Sequence, residues 1–173
     1  MVHTFAGHVS REAIINGVTN CVFNGLIAWW LVKQRVLIPV WGGEGLALDF
    51  VATAVALVFI VSLIVMPLTR RKVNAGTLPR AAAWPAGRIA ALLDFMARRH
   101  LVASAALLAV FAALVFVPPI LLMLQVVGIS SLAPAHFALL KGVWAGLMAA
   151  AMVVPMIAIV AYQAQVRGAL AAA

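Results

Sequence analysis

The chain has 173 residues, of which 66% are hydrophobic and only 9% are charged, and its formal net charge is +8. A soluble domain carries about 25% charged residues, so this chain has too little charge to cover a surface in contact with water. The composition therefore excludes an ordinary soluble domain and favours an integral membrane protein. The excess of basic residues is then explained by loops that lie beside the lipid bilayer, which is the expected partner, and no nucleic-acid partner is expected.

Four segments are apolar over the roughly 20 residues that a helix needs to cross a bilayer. They predict an all-α integral membrane bundle of four transmembrane helices in a single domain. The predicted spans are residues 12–32, 46–68, 101–124 and 136–162. Each should be helical, because a lone segment in lipid must satisfy its own backbone hydrogen bonds. We expect two helical hairpins, the first two spans and the last two, joined by the loop 69–100.

A line of polar residues follows one face of the first span, since residues four apart lie on the same side of a helix. Its members are Glu12, Asn16, Thr19, Asn20 and Asn24. Beside it runs a line of small residues, which let a second backbone come close. The small residues are Gly17, Cys21 and Gly25. We expect the amides to face protein or trapped water and the aliphatic side of the helix to contact lipid.

Two interpretations of the amides remain open. In the structural interpretation they tie the first helix to a neighbouring helix through hydrogen bonds. In the functional interpretation they line a polar path or bind a polar ligand, since polar groups inside a membrane often mark pathways. Asparagine does not titrate, so this face cannot relay protons. Glu12 can titrate, but we expect it at the cytoplasmic edge beside Arg11, where it is easily solvated.

The connection after the first span, "LIPVWGGEG", contains the proline and glycines of a short structured turn on the outer face. Its two acidic neighbours, Glu44 and Asp49, are expected to offset the basic Lys33 and Arg35 at the surface.

The loop between the second and third spans carries most of the basic residues, which predicts that it faces the cytoplasm together with both termini. Anionic lipid is the expected contact of Arg70, Arg71, Lys72, Arg88, Arg98 and Arg99. Residues 86–99 have helical spacing, and Asp94 and Arg98 form an i,i+4 pair. This segment is typical of an amphipathic helix lying on the inner leaflet. Lipid anchoring is the simpler role, and a regulatory role is the alternative.

The fourth span contains "KGVWAGLMAA", in which small residues recur every fourth position. They are Ala138, Gly142, Gly146 and Ala150. Such a GxxxG face packs against another helix, either within the bundle or between protomers. Lys141, near the outer end of this span, is expected to extend towards the interface, with anion binding as the alternative.

One constant shift in numbering places Arg11 on Arg99, Phe23 on Phe111 and Pro67 on Pro155. The two prolines then lie late in the second span of each pair. The match covers few positions, but it is compatible with a duplicated helical hairpin, an arrangement found in transporters.

Enzymatic chemistry has little support in the sequence. No pair of histidines lies at matching depth within the spans, no carboxylate cluster is visible, and no phosphate-binding loop or nucleophile motif occurs. A single cysteine excludes an intrachain disulfide and CxxC-type sites. We therefore expect no enzyme activity, no cofactor and no metal.

The stretches "REAIINGVTNCVFNGLIAWW", "VWGGEGLALDFVATAVALVFIVSLIVMPLTRRKV" and "FALLKGVWAGLMAAAMVVPMIA" resemble small bacterial four-span inner-membrane proteins of unknown function. The resemblance implies a multi-pass protein of the bacterial inner membrane and carries no activity. We expect a non-enzymatic accessory or structural subunit of a membrane assembly that acts through helix–helix association. Its partner would be itself or another integral membrane protein. The alternative is a small homo-oligomeric channel or transporter whose path is lined by the amides.

Overall fold

The computed structural model describes residues 4–43, 45–79, 81, 83–84 and 86–171, with side chains described to residue 165. The described residues form, in chain order, α1 (Phe5–Val32), β1 (Ile38–Pro39), α2 (Leu46–Asn74), α3 (Arg88–Ala97), α4 (Leu101–Val126), β2 (Ser131–Leu132) and α5 (Pro134–Ala171). Four of the five helices, all except α3, are long and apolar enough to cross a membrane. The predicted all-α bundle with four spans is therefore confirmed, and the chain has the form of a multi-pass membrane protein.

The long helices extend beyond the predicted spans. α1 begins at Phe5, before predicted residue 12, because Thr4 caps it: the Thr4 hydroxyl accepts a hydrogen bond from the Gly7 N–H at 3.1 Å. α2 continues to Asn74, past predicted residue 68, so Arg71 and Lys72 of the predicted loop lie in its last turn. Cations are favourable there, since the carbonyl end of a helix carries partial negative charge.

The spans do not pack in the order in which they follow one another in the chain. α1 packs on α5, α5 packs on α2, and α2 packs on α4, while α1 and α2 share no comparable contact. The predicted hairpins did not specify which helices would contact one another, and the small-residue face of α1 packs against α5. The observed order nevertheless treats the two halves alike. Under the shift that places Pro67 on Pro155, the contact of α1 with α5 corresponds to the contact of α4 with α2.

The two ends of the bundle are built differently. At one end, here called the strand end, β1 pairs with β2 in antiparallel fashion, with Ile38 opposite Leu132 and Pro39 opposite Ser131. Ile38 is buried there, so the first connection folds back over the helices as a small cap. At the other end, here called the basic end, α1 begins and α3 packs on α5.

α3 runs over residues 88–97, within the predicted 86–99, and one of its faces packs against the bundle. Leu93 and Met96 are buried, and the Ser104 hydroxyl of α4 donates a hydrogen bond to the Met96 carbonyl at 3.1 Å. Ile89, Leu92 and Phe95 are exposed. The apolar residues of α3 are therefore divided between contact with the bundle and exposure to the surroundings.

Candidate functional site

The small residues of α1 and α5 meet in one close helix contact. A Cβ added at Gly142 would lie 2.7 Å from the Cys21 carbonyl oxygen, and one added at Gly146 would lie 2.7 Å from the Gly17 carbonyl oxygen. Both distances are too short for any side chain, so these two glycines are required for the approach. The backbones of α1 and α5 are therefore in direct contact along this face.

The flanking small residues extend the same contact. A Cβ at Gly17 would meet the Ala150 Cβ at 3.0 Å, and a Cβ at Gly25 would meet the Ala138 carbonyl oxygen at 3.5 Å. The GxxxG face that the sequence left open between bundle and protomer contacts thus lies within the bundle. Along the described part of α5, this face is occupied by α1.

The three asparagines form a ladder along their own helix. Asn16 Nδ2 donates to the Glu12 carbonyl at 2.9 Å, Asn20 Nδ2 to the Asn16 carbonyl at 2.9 Å, and Asn24 Nδ2 to the Asn20 carbonyl at 3.0 Å. Each amide therefore satisfies one N–H locally, as polar side chains in membrane helices do when no neighbour is in reach. Among the described residues, these amides make no hydrogen bond to α5.

The amide ladder lies at the margin of the α1–α5 contact. Asn16, Asn20 and Asn24 are half-buried, and Thr19 is exposed. No hydrogen bond described in the structure uses an asparagine Oδ1, so three strong acceptors and three remaining N–H donors face outwards in a column. Such groups are costly in hydrocarbon unless a polar partner approaches them.

Ionic contacts organise the basic end. Lys72 Nζ of α2 lies 2.6 Å from Glu12 Oε1 of α1, and His8 Nε2 lies 3.9 Å from the same oxygen. Glu12, the first member of the polar line, is thus an inter-helix tether rather than a freely solvated carboxylate. It joins α1 to α2 where those helices otherwise scarcely touch.

The basic residues differ in their partners. The predicted Asp94–Arg98 pair is confirmed, with Arg98 Nε 2.8 Å from Asp94 Oδ2. Arg70 donates a hydrogen bond to Gln163 of α5 at 3.0 Å, and the Arg99 guanidinium lies 4.5 Å from the centre of the Phe95 ring. Among the described ion pairs, none joins a carboxylate to four of the six basic residues predicted to contact anionic lipid. They are Arg70, Arg71, Arg88 and Arg99.

Trp84 closes the basic end. Its ring packs edge-on against Phe5 at 5.8 Å and against Tyr162 at 5.4 Å, and its indole N–H donates to the Gln165 side chain. Gln163 Nε2 donates to the Ala97 carbonyl at 2.7 Å, which fixes the end of α3 on α5. Sequence reasoning missed these residues, because a lone tryptophan or glutamine in a loop or helix carries no local signal of a distant partner.

An ion pair lies inside the strand end. Lys141 Nζ of α5 lies 2.7 Å from Asp49 Oδ1 of α2, and the Lys141 side chain is only 7% exposed. The expectation that Lys141 extends outwards to the interface was wrong, because Asp49 offers it an inward partner. Asp49 therefore does not offset Lys33 or Arg35 as predicted, and Glu44 lies outside the described residues. Only the preference of lysine for a nearby carboxylate could have hinted at this pair.

A cavity of about 400 Å³ borders this ion pair at the strand end. Among the described residues, no group of three or more histidine, cysteine, aspartate or glutamate side chains is placed to hold a metal ion. No family model, curated protein or solved structure matches this chain. The interpretation of its function therefore depends on the geometry of α1, the two ends and this cavity.

Proposed function

We propose that this protein is a non-enzymatic subunit of a membrane assembly and that α1 is its docking helix. The observation that carries the proposal is the amide ladder: a column of outward-facing amide oxygens and N–H groups on the helix that the bundle covers least. A transmembrane helix of another protein, with serine, threonine or amide side chains along one face, would satisfy these groups. Each such hydrogen bond contributes only about 0.6 kcal/mol on average, so the whole column is needed for specificity.

The apolar surroundings of the ladder favour the same role. Ile15 and Phe23 are exposed on α1 next to Asn16 and Asn24, so a docking helix would find both apolar contact and polar partners. Because the glycine face of α1 is already occupied by α5, the partner would approach from the opposite margin of the ladder. The role requires no chemical step and no cofactor.

Site-specific photocrosslinking tests the proposal. A benzophenone amino acid at Thr19, beside the ladder, should form an adduct with one foreign membrane protein, and the same probe at the likewise exposed Val110 of α4 should not. Replacement of Asn16, Asn20 and Asn24 together by leucine should abolish the adduct while the thermal stability is kept. Equal labelling from both positions, or an adduct that survives the triple replacement, would refute docking through the ladder.

The second candidate function is a small homo-oligomeric channel or transporter in which copies of α1 surround a polar path. The free amide oxygens in a column favour it, since such groups can replace the water around a polar solute. Here the probe at Thr19 would link copies of this chain to one another. The triple leucine replacement would then abolish solute flux in proteoliposomes while leaving the oligomer intact.

We further propose that the protein resides in a bacterial inner membrane with the basic end and both termini in the cytoplasm, and that α3 contacts the inner leaflet. The four arginines without a carboxylate partner, Arg70, Arg71, Arg88 and Arg99, lie at the basic end, where anionic lipid would attract them. In a Cys21→Ser background, a membrane-impermeant maleimide should label Gly43→Cys at the strand end of intact cells but not Ala75→Cys at the basic end. Labelling of Ala75→Cys but not Gly43→Cys would show the opposite orientation.

A further inference from the structure

One glutamine of α5 connects the end of α2 to the end of α3 at the basic end. Gln163 Oε1 accepts a hydrogen bond from Arg70 Nη2 at 3.0 Å, and Gln163 Nε2 donates to the Ala97 carbonyl at 2.7 Å. Arg99 follows Ala97 by two residues, which span at most about 7 Å of chain. The side chains of Arg70 and Arg99 are therefore anchored within reach of one group placed beside Gln163.

The positive charge at this place is not neutralised by the neighbouring carboxylate. Asp94, the acidic residue nearest in sequence, is paired with Arg98 at 2.8 Å. No described ion pair involves Arg70 or Arg99, and the Gln163 oxygen that accepts from Arg70 carries no formal charge. Two guanidinium groups beside a neutral amide favour an anion between them.

Arg99 is combined with exposed hydrocarbon. Its guanidinium lies 4.5 Å from the centre of the Phe95 ring. Leu92, three residues before Phe95 and therefore on the same side of α3, is exposed together with that ring. A guanidinium that stacks on an aromatic face keeps the N–H groups along its edge for a further partner. A ligand held by Arg99 therefore meets an apolar surface as well as a charge.

This combination selects among ligands. Arginine matches the oxygens of a phosphate group, because its planar fork donates two parallel hydrogen bonds. An ammonium on the same head group would be repelled by the two guanidinium groups. The exposed Leu92 and Phe95 side chains favour a ligand that brings acyl chains. A phospholipid with a net negative head group has all three properties.

We propose that Arg70 and Arg99 together bind the phosphate of a single phospholipid whose head group lacks an ammonium, as in phosphatidylglycerol. Gln163 is the positioning residue that holds the ends of α2 and α3 side by side. The proposal rests on the contact of α3 with the inner leaflet and adds to it a defined site for one head group. A general attraction of the basic end to a charged surface would require no such position.

The choice of head group is tested on the unaltered protein. Native mass spectrometry of the detergent-purified protein is titrated with dioleoyl phosphatidylglycerol and, separately, with dioleoyl phosphatidylethanolamine. The first phosphatidylglycerol should bind roughly tenfold more tightly or better, because only this head group leaves the phosphate charge uncompensated. Equal affinities for the two lipids would overturn the proposal.

Two arginine variants distinguish a site from a diffuse field. Arg99→Gln and Arg88→Gln remove the same charge from opposite ends of α3, and neither breaks a described ion pair. Arg99→Gln should weaken the first phosphatidylglycerol about tenfold, as expected for one charge-assisted hydrogen bond. Arg88→Gln should weaken it by less than about threefold, since it changes only the screened long-range field. Equal weakening in the two variants would refute the site.

Two glutamine variants test the positioning residue. Gln163→Glu and Gln165→Glu add the same charge to α5, and each keeps an acceptor, for Arg70 and for the Trp84 indole N–H respectively. Each also loses one amide donor to a backbone carbonyl. Only Gln163→Glu supplies Arg70 with a carboxylate that competes with the phosphate.

Gln163→Glu should therefore weaken the first phosphatidylglycerol about tenfold, and Gln165→Glu by less than about threefold. Equal losses would refute the site, while the orientation of the basic end is tested independently by the maleimide labelling. Millimolar glycerol 3-phosphate should not displace the lipid, because it lacks acyl chains. Its displacement of the lipid would indicate a soluble ligand and overturn the assignment to a phospholipid.

Discussion

α1 and α5 meet in one glycine-lined contact, but α5 lies at the centre of the bundle and α1 lies at its edge. In the most apolar window of each helix, 61% of the residues of α5 are buried and only 6% of those of α1. α5 also packs on α2 and α3, whereas α1 is held along a single edge. A close backbone contact thus fixes where a helix lies without burying the rest of its surface.

The two helices also satisfy their intramembrane polar groups in different ways. Each asparagine amide of α1 donates one N–H to the carbonyl four residues earlier in the same helix. That N–H therefore needs no partner from another helix. The Lys141 ammonium of α5 relies on Asp49 from another helix. Replacements should therefore cost most at the interhelical ion pair, less at the glycine contact and least at the amide ladder.

The largest effect is expected from Asp49→Asn, which leaves the buried Lys141 ammonium without its carboxylate. The free energy of unfolding should fall by about 3 kcal/mol, and most of the loss should be recovered when Lys141→Met is added. Reversible denaturation in mixed micelles measures both. The control is Asp94→Asn, which breaks an exposed ion pair and should cost less than about 0.5 kcal/mol. Equal losses in the two single variants would show that the Lys141 pair is solvated.

An intermediate effect is expected from Gly142→Leu, because a side chain there collides with the Cys21 carbonyl and with Gly25. The contact should open at a cost of about 2 kcal/mol, and the Cys21 thiol should react faster with a membrane-permeant maleimide. Val143→Leu, at the next residue and exposed to lipid, is the matched control and should change neither quantity. Unchanged thiol reactivity in Gly142→Leu would contradict the close packing of α1 on α5.

The smallest effect is expected from Asn20→Leu. It removes one hydrogen bond to the Asn16 carbonyl and leaves the glycine contact untouched, so stability should change by less than about 0.6 kcal/mol. Denaturation under the same conditions provides the value. A loss as large as that of Gly142→Leu would mean that the amides hold α1 to α5, and the comparison between the two helices would fail.

Much of the architecture could be predicted from single segments. Hydrophobic length located all four spans, and the spacing of small residues identified both faces that meet in the α1–α5 contact. The helix ends were less predictable, because a cap such as Thr4 adds turns beyond the apolar core. The short strands were missed, since two-residue pairing of distant loops leaves no periodic pattern.

The candidate site was only partly predictable for a related reason. The regular spacing of the asparagines revealed a polar face, but their hydrogen-bond partners depended on whether a neighbouring helix offered donors and acceptors within reach. Asp49 and Lys141 were each visible as charges near a span, and each was assigned to the surface. Their pairing joins two helices that are far apart in the chain and becomes apparent only when both are packed.

The amino-acid sequence by itself determined the solvent of this protein, the number of its spans and which sides of α1 and α5 are small or polar, because these properties arise within one segment. Tertiary structure alone decided that α1 joins α5 instead of α2, that Lys141 turns inwards to Asp49, and that a cavity forms beside them. Those outcomes depend on which surfaces of distant helices fit most closely, and no local pattern encodes that competition.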